Sequence, residues 1–383
     1  MSPVKSPVTE PRVLDGSPWP SAVVGWVAAR IVVAISALVA HGLGPLPGRP
    51  RWPNVLFMWD GSFYRVLADH GYSGSALEAA RFYPLYPLLG RWLDVILPGG
   101  SELALGLISN AFALVAAVAL WKVVRATMDG DEALASRSVI MFSLFPASAV
   151  LILGYAESLM VAFVLLAAWA LVERRPALAI VPLGLAGLTR PTGVLAALPV
   201  AILAVTWWVD ARRDPAIRIR TSTVTAWVLA VLAPVAGAAT YLGWLQSTQG
   251  RGTAPIRLQG KLRGGFHEPL SRLAKMVYDV GTLHFRDVYN LGLVVLLIMA
   301  VIGAIRSRFS VAWTTYLIVG LLISLSANVV DSVGRYGVAL APAWAVGFAY
   351  WTRPRWLAWS TAAVFAVGMT ILTTVWIRGT VIP

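Results

Sequence analysis

An aspartate, an arginine and three tyrosines stand out in two short stretches. These are Trp59–Asp60–Gly61–Ser62–Phe63–Tyr64 and Arg81–Phe82–Tyr83–Pro84–Leu85–Tyr86–Pro87. A carboxylate such as Asp60 can accept a proton from a hydroxyl as a general base, or cap the helix that begins near Ser62. Tyr64, Tyr83 and Tyr86 can stack on a sugar, and Arg81 can bind a phosphate. Tyrosines also form belts at membrane interfaces. Further along stand Glu157, Arg190, and Asp331 with Arg335. Arg335 can pair with Asp331 or hold a lipid phosphate, because its guanidinium fork suits either oxyanion.

The elements that position these groups are membrane helices. Of the 383 residues, 58% are hydrophobic and only 13% are charged, against roughly 25% charged in soluble domains. The mean hydropathy is +0.73. Repeated apolar runs then imply an all-α, polytopic membrane protein. There is no cysteine, so disulfides, thiolate metal sites and cysteine nucleophiles are excluded. The formal net charge of +13 fits topology-setting loops and contacts with anionic lipid rather than nucleic acid.

Residues 1–20 read as a disordered tail and 21–383 as one transmembrane domain. Eleven spans are expected: Ser21–Ala40, Leu103–Trp121, Ser138–Gly154, Ala156–Val172, Ala177–Leu188, Val194–Val209, Val224–Leu245, Val288–Ile305, Val311–Ala327, Tyr336–Trp351 and Trp356–Trp376. Two long loops remain, 42–100 and 246–287. The first should hold interfacial helices near Val55–Ala68 and Leu85–Leu97. Arg30 interrupts the first span, and a charge at that depth faces a protein partner or a wet cavity.

Basic residues orient the chain. The N-terminal tail and the short connections on its side hold Lys5, Arg12, Lys122, Arg125, Arg137, Arg174, Arg175 and eight further arginines. The opposite short connections and C-terminal tail hold Arg190, Arg335 and Arg378. The positive-inside rule puts the N-terminus in the cytoplasm and both long loops outside, at a plasma membrane. Asp60, Glu157, Arg190, Asp331 and Arg335 then share one face, although they come from four separate connections. Glu157 is the only charge from Ser138 to Val172, and Arg190 the only one from Ala177 to Val209. Each of those hairpins is shorter than the roughly 40 residues that two full spans need, so its outer tip should lie in a recess below the surface. The bland alternative is that both charges cap helix ends near headgroups.

Other motifs point elsewhere. Asp129–Gly130–Asp131–Glu132 resembles a metal-binding Asp-x-Asp pair, but topology puts it inside, in a short solvated connection. His41, His70, His267 and His284 lack metal-ligand spacing, and no metal or cofactor is expected. In the second long loop Arg251, Arg257, Lys261, Arg263, Arg272 and Lys275 attract anionic headgroups, or grip a phosphate or an acidic acceptor.

Several boxes together carry a family likeness. Trp59–Asp60 with Tyr64, Phe82–Tyr83–Pro84–Leu85–Tyr86–Pro87, Phe145–Pro146, Tyr155–Ala156–Glu157–Ser158–Leu159 and Leu188–Thr189–Arg190–Pro191–Thr192–Gly193 resemble the GPI mannosyltransferase II (PIG-V-like) family. The resemblance implies a GT-C fold and inverting transfer of mannose from a polyprenyl-phosphate-mannose donor on the extracytoplasmic side. It makes Asp60 the base, Arg190 and Arg335 donor-phosphate ligands, and Glu157 a sugar ligand or a support for the site. Composition suggests a bacterial member, whose acceptor is a glycolipid or cell-envelope glycan. The rival classes are a lipid transporter or flippase and a non-catalytic scaffold.

Overall fold

The computed structural model describes residues 16–44, 54–216, 218–281 and 285–380. Most of the expected tail, part of the first loop and His284 lie outside them. The described residues are helical, with one isolated β-bridge between Phe266 and Ala327.

In chain order the helices are α1 Trp19–Gly42, α2 Asp60–His70, α3 Leu85–Asp94, α4 Gly100–Thr127, α5 Glu132–Leu144, α6 Glu157–Val172, α7 Pro176–Thr189 and α8 Ala197–Arg213. There follow α9 Thr221–Gln249, α10 Ala254–Leu262, α11 Pro269–Val280, α12 Phe285–Arg306, α13 Val311–Leu325, α14 Val333–Val338, α15 Ala343–Trp351 and α16 Arg355–Ile377. Among the described residues six helices are long and apolar enough to cross a membrane: α1, α4, α8 with its preceding turn, α9, α12 and α16. α6, α7 and α13 are apolar but shorter.

Prolines set several ends, because the residue before a proline avoids helical backbone. α5 stops at Phe145, before Pro146, so the run expected as Ser138–Gly154 is a helix followed by a 3-10 turn, Ser148–Leu151. α7 stops at Arg190, before Pro191. The run expected as Tyr336–Trp351 is likewise two helices, α14 and α15, separated around Pro342. The second long loop is more ordered than its glycines and charges imply, since it contains α10 and α11.

Small residues let helices approach closely, as they do where lipid gives no hydrophobic drive to pair. A Cβ on Gly187 of α7 would overlap the backbone of Pro234 in α9, and one on Gly237 would overlap Gly184. α12 and α15 meet the same way through Gly303 and Gly347. These tight pairs form a frame for the connections between the helices.

Candidate active site

Asp60 is fixed by a stitch between segments almost a hundred residues apart. The amide of Gly154 donates to Leu56 O at 3.1 Å, and Tyr155 Oη donates to Met58 O at 3.2 Å. The Phe57 ring fills the place where Gly154 has no Cβ, and Gly61 packs against the Gly154 carbonyl. Trp59 enters α2 with φ 56°, a strained backbone for a bulky residue. Asp60 is the first residue of α2, whose N-cap, Trp59, makes no side-chain cap bond. Asp60 turns to Arg335, whose NH1 lies 2.5 Å from Oδ2.

Arg335 begins a chain of buried ions. Its Nε lies 3.3 Å from Glu157 Oε1, and that same oxygen lies 2.7 Å from Arg190 NH1. Glu157 is 1% exposed, Arg335 6% and Arg190 7%. Desolvated charges at that depth persist only when paired, and here each is paired. The backbone explains how they arrive. Arg190 is extended (φ −154°, ψ 150°) between α7 and the turn Pro191–Ala196. The turn folds back so tightly that a Cβ on Gly193 would overlap the Ala186 carbonyl. α14 is pressed inward because Gly334 and Gly337 give room to Leu293 and Leu297.

Asp60, Arg190 and Arg335 border a cavity of about 270 Å³. Its lining combines polar side chains, among them Asp60, Tyr64, Arg81, Arg190, Arg263, Arg335 and Tyr336, with apolar ones, among them Leu195, Ile323 and Leu340. Asp60 is the only carboxylate among the described lining residues, and its side chain is 21% exposed. Burial raises the proton affinity of Asp60, but Arg335, Arg190 and Arg81 outweigh burial and hold it below the usual carboxylate range. It is therefore ionised at neutral pH. An ionised carboxylate beside several guanidinium groups can accept a proton while the cations bind or stabilise an oxyanion.

The cavity thus brings together Asp60, Tyr64, Arg81, Arg190 and Arg335 among the residues singled out in the sequence. Three expectations need correction. Tyr86 is 0% exposed and its hydroxyl bonds Leu105 O and Ser109 Oγ, so it braces α3 on α4. Tyr83 packs on Tyr241 in a separate apolar cluster. Asp331 approaches Arg286 at 3.6 Å rather than Arg335. Of the two readings of Glu157, support for the site fits its place, since it does not line the cavity but stands behind it, joining two arginines. Arg30 donates to Asn110 Oδ1 at 2.9 Å and lies over the Trp26 ring, so its partners are structural.

Gln259, Tyr316 and Tyr336 also line the cavity without having been singled out in the sequence, and so does Arg263, read there only as one of six basic residues that attract headgroups or grip a phosphate or an acidic acceptor. Arg263 is the informative case. Gly264 and Gly265 have φ +70° and +82°, a turn glycine accepts readily. The turn lets Arg263 O accept from Asn328 N and Val329 N, and its guanidinium lie 4.4 Å from the Tyr336 ring. The Arg-Gly-Gly signal was visible, but its long-range partner was not. Among the described residues no group of three or more acids and histidines is placed to hold a metal ion.

No protein-family model and no curated protein matches the chain. Among solved structures it is similar to the Archaeoglobus fulgidus oligosaccharyltransferase complexed with zinc and sulfate, at 15% identity and TM-score 0.43. It is also similar to the archaeal oligosaccharyltransferase AglB from the same organism, complexed with an inhibitory peptide and a dolichol-phosphate, at 13% identity and TM-score 0.44. The alignments cover 91% and 92% of this chain but 52% and 55% of those, so the chain spans about half their length. Likeness at this level decides neither fold family nor activity; the side chains of the cavity must.

Proposed function

We propose that the protein is a GT-C-type membrane glycosyltransferase that moves mannose from polyprenyl-phosphate-mannose to a glycolipid or cell-envelope glycan. One observation carries this reading. The only carboxylate among the described lining residues is held by Arg335 in a cavity that also presents Arg190, Arg81 and Arg263 and has apolar side chains in its lining. A base, an oxyanion site and an apolar surface are what a hydroxyl acceptor, a phosphate and a prenyl tail need. The sequence boxes around Asp60, Glu157 and Arg190 support the PIG-V-like assignment, and the basic-residue bias supports a cavity facing out of the cell.

In this mechanism the acceptor hydroxyl lies beside Asp60. Arg335 holds Oδ2, which leaves Oδ1 to take the hydroxyl proton. The acceptor oxygen attacks the anomeric carbon from the face opposite the phosphate. The carbon–oxygen bond to phosphate breaks, and the lipid monophosphate departs with the electron pair while the anomeric configuration inverts. Arginines lining the cavity stabilise the charge that develops on the leaving oxygen. Glu157 acts from behind, by fixing the two guanidinium groups.

The test is reconstitution in liposomes with labelled polyprenyl-phosphate-mannose and a panel of lipid-linked acceptors. A new glycosidic product with loss of the donor supports the enzyme. Movement of the label between leaflets without a new bond contradicts it and favours a flippase.

A further inference from the structure

Arg81 lacks what fixes two of its neighbours in the cavity. Arg190 and Arg335 are held by Glu157 and Asp60. Arg81 has no carboxylate within ion-pair distance among the described residues, and its Nε is buried with no hydrogen-bond partner. A long side chain with many rotamers and no partner is aimed only as well as its backbone is held.

Two phenol hydroxyls hold that backbone, one on each side. Tyr72 Oη donates to Phe82 O at 2.6 Å, and Tyr241 Oη donates to Ala80 O at 2.9 Å. Both carbonyls stand where the 3-10 turn Leu77–Arg81 gives way to the extended residue Phe82, and helix ends leave carbonyls in need of donors. The two phenols come from separate elements. Tyr72 follows α2, whereas Tyr241 lies on α9, 161 residues from Ala80. Tyr241 stands one turn beyond Gly237, where α9 packs closely on Gly184 of α7. The Phe82 ring closes the arrangement, stacked on Phe63 at 4.7 Å and edge-on to Tyr64 at 5.1 Å. We propose that Tyr72 and Tyr241 are positioning residues for Arg81, aiming its guanidinium fork at a phosphate oxyanion in the cavity. This rests on the transferase reading above and names the side chains that direct one of its cations.

A mutant cycle on the purified full chain tests the idea, with octyl phosphate as the titrated probe. Arg81→Gln should weaken its binding about tenfold, the discrimination of one charge-assisted hydrogen bond. Tyr72→Phe and Tyr241→Phe keep the packed rings and remove only the hydroxyls, and each should weaken binding about threefold. Combined with Arg81→Gln, neither should weaken it further, because there is no guanidinium left to aim; a merely structural effect would persist. Should Arg81→Gln fold poorly, Arg81→Lys serves as the background. Lysine is a point charge on a flexible stem with no fork to orient, so the hydroxyl losses should shrink there too. Tyr83→Phe, in the same aromatic cluster, should bind as the wild type does. Hydroxyl variants that bind at full strength overturn the proposal. So do losses that persist undiminished without Arg81, an equal loss in Tyr83→Phe, or a wild type that does not bind the probe. The expected losses in a chain that transfers no mannose would leave the positioning intact and overturn the transferase reading instead.

Discussion

Glu157 opens α6 and Asp331 lies between α13 and α14, and the two carboxylates separate cleanly at the residue scale. Glu157 is 1% exposed and shared by Arg190 and Arg335, whereas Asp331 makes a looser pair with the 60%-exposed side chain of Arg286. Breaking a buried pair costs about 3–5 kcal/mol, while a surface pair contributes ~0–1 kcal/mol. Glu157→Gln should therefore lower the melting temperature in detergent substantially, and Asp331→Asn should barely move it. A second prediction concerns pH. Asp60 titrates below the usual carboxylate range because its arginines outweigh burial. A lowered folded pKa gives stability that is present above the unfolded value and is lost as pH falls through the folded one. The base thus stays ionised through the acid range, and transfer should not fall until pH drops below about 4. A rate already halved at pH 6 would assign the base role to another group. Asp60, Arg190 and Arg335 were legible in the sequence because charge is scarce in an apolar chain and topology put them on one face. Tyr83 and Tyr86 were misjudged because a tyrosine looks the same in sequence whether its hydroxyl meets a ligand or a backbone carbonyl.

At the scale of elements, the site depends on backbones that nearly touch. Gly193 holds the turn that presents Arg190, and Gly187 seats α7 on α9. Adding a methyl at either position meets backbone, which cannot rotate away. Overpacking of this kind costs about 1–3 kcal/mol. Both alanine variants should melt earlier. Gly193→Ala should also lower kcat/KM, because it shifts Arg190, while Gly187→Ala should act mainly on stability. The Thr189–Arg190–Pro191–Thr192–Gly193 box was legible as a helix break with a cation in it. The order of the second long loop was not. α11 is amphipathic, but its docking depends on the backbone bonds from His267 to Ser326 and from Asn328 to Arg263, which join residues some sixty apart. Local pattern carries no information about such pairings. Pro342 and Pro146 marked breaks that hydropathy alone had smoothed into single spans.

For the whole molecule, the absence of cysteine makes orientation directly measurable. Glu268→Cys lies in the second long loop and Asp129→Cys in the connection between α4 and α5. In intact cells an impermeant maleimide should label the first and reach the second only after permeabilisation; the reverse pattern would turn the cavity toward the cytosol. The helical character and the runs that became long spans were legible from hydropathy, because a bilayer demands length and apolarity of any crossing helix. The cavity was legible only as a convergence of charges; the α13 residues in its lining and the presence of Tyr336 there required the folded chain. The most direct test of the central idea is single-turnover mannosyl transfer by wild type, Asp60→Asn and Asp60→Glu, with donor and acceptor saturating. General-base catalysis contributes roughly 10²–10⁴-fold, so Asp60→Asn should fall by about that much while Asp60→Glu keeps part of the rate. An asparagine variant that folds, binds donor and transfers at the wild-type rate would contradict it.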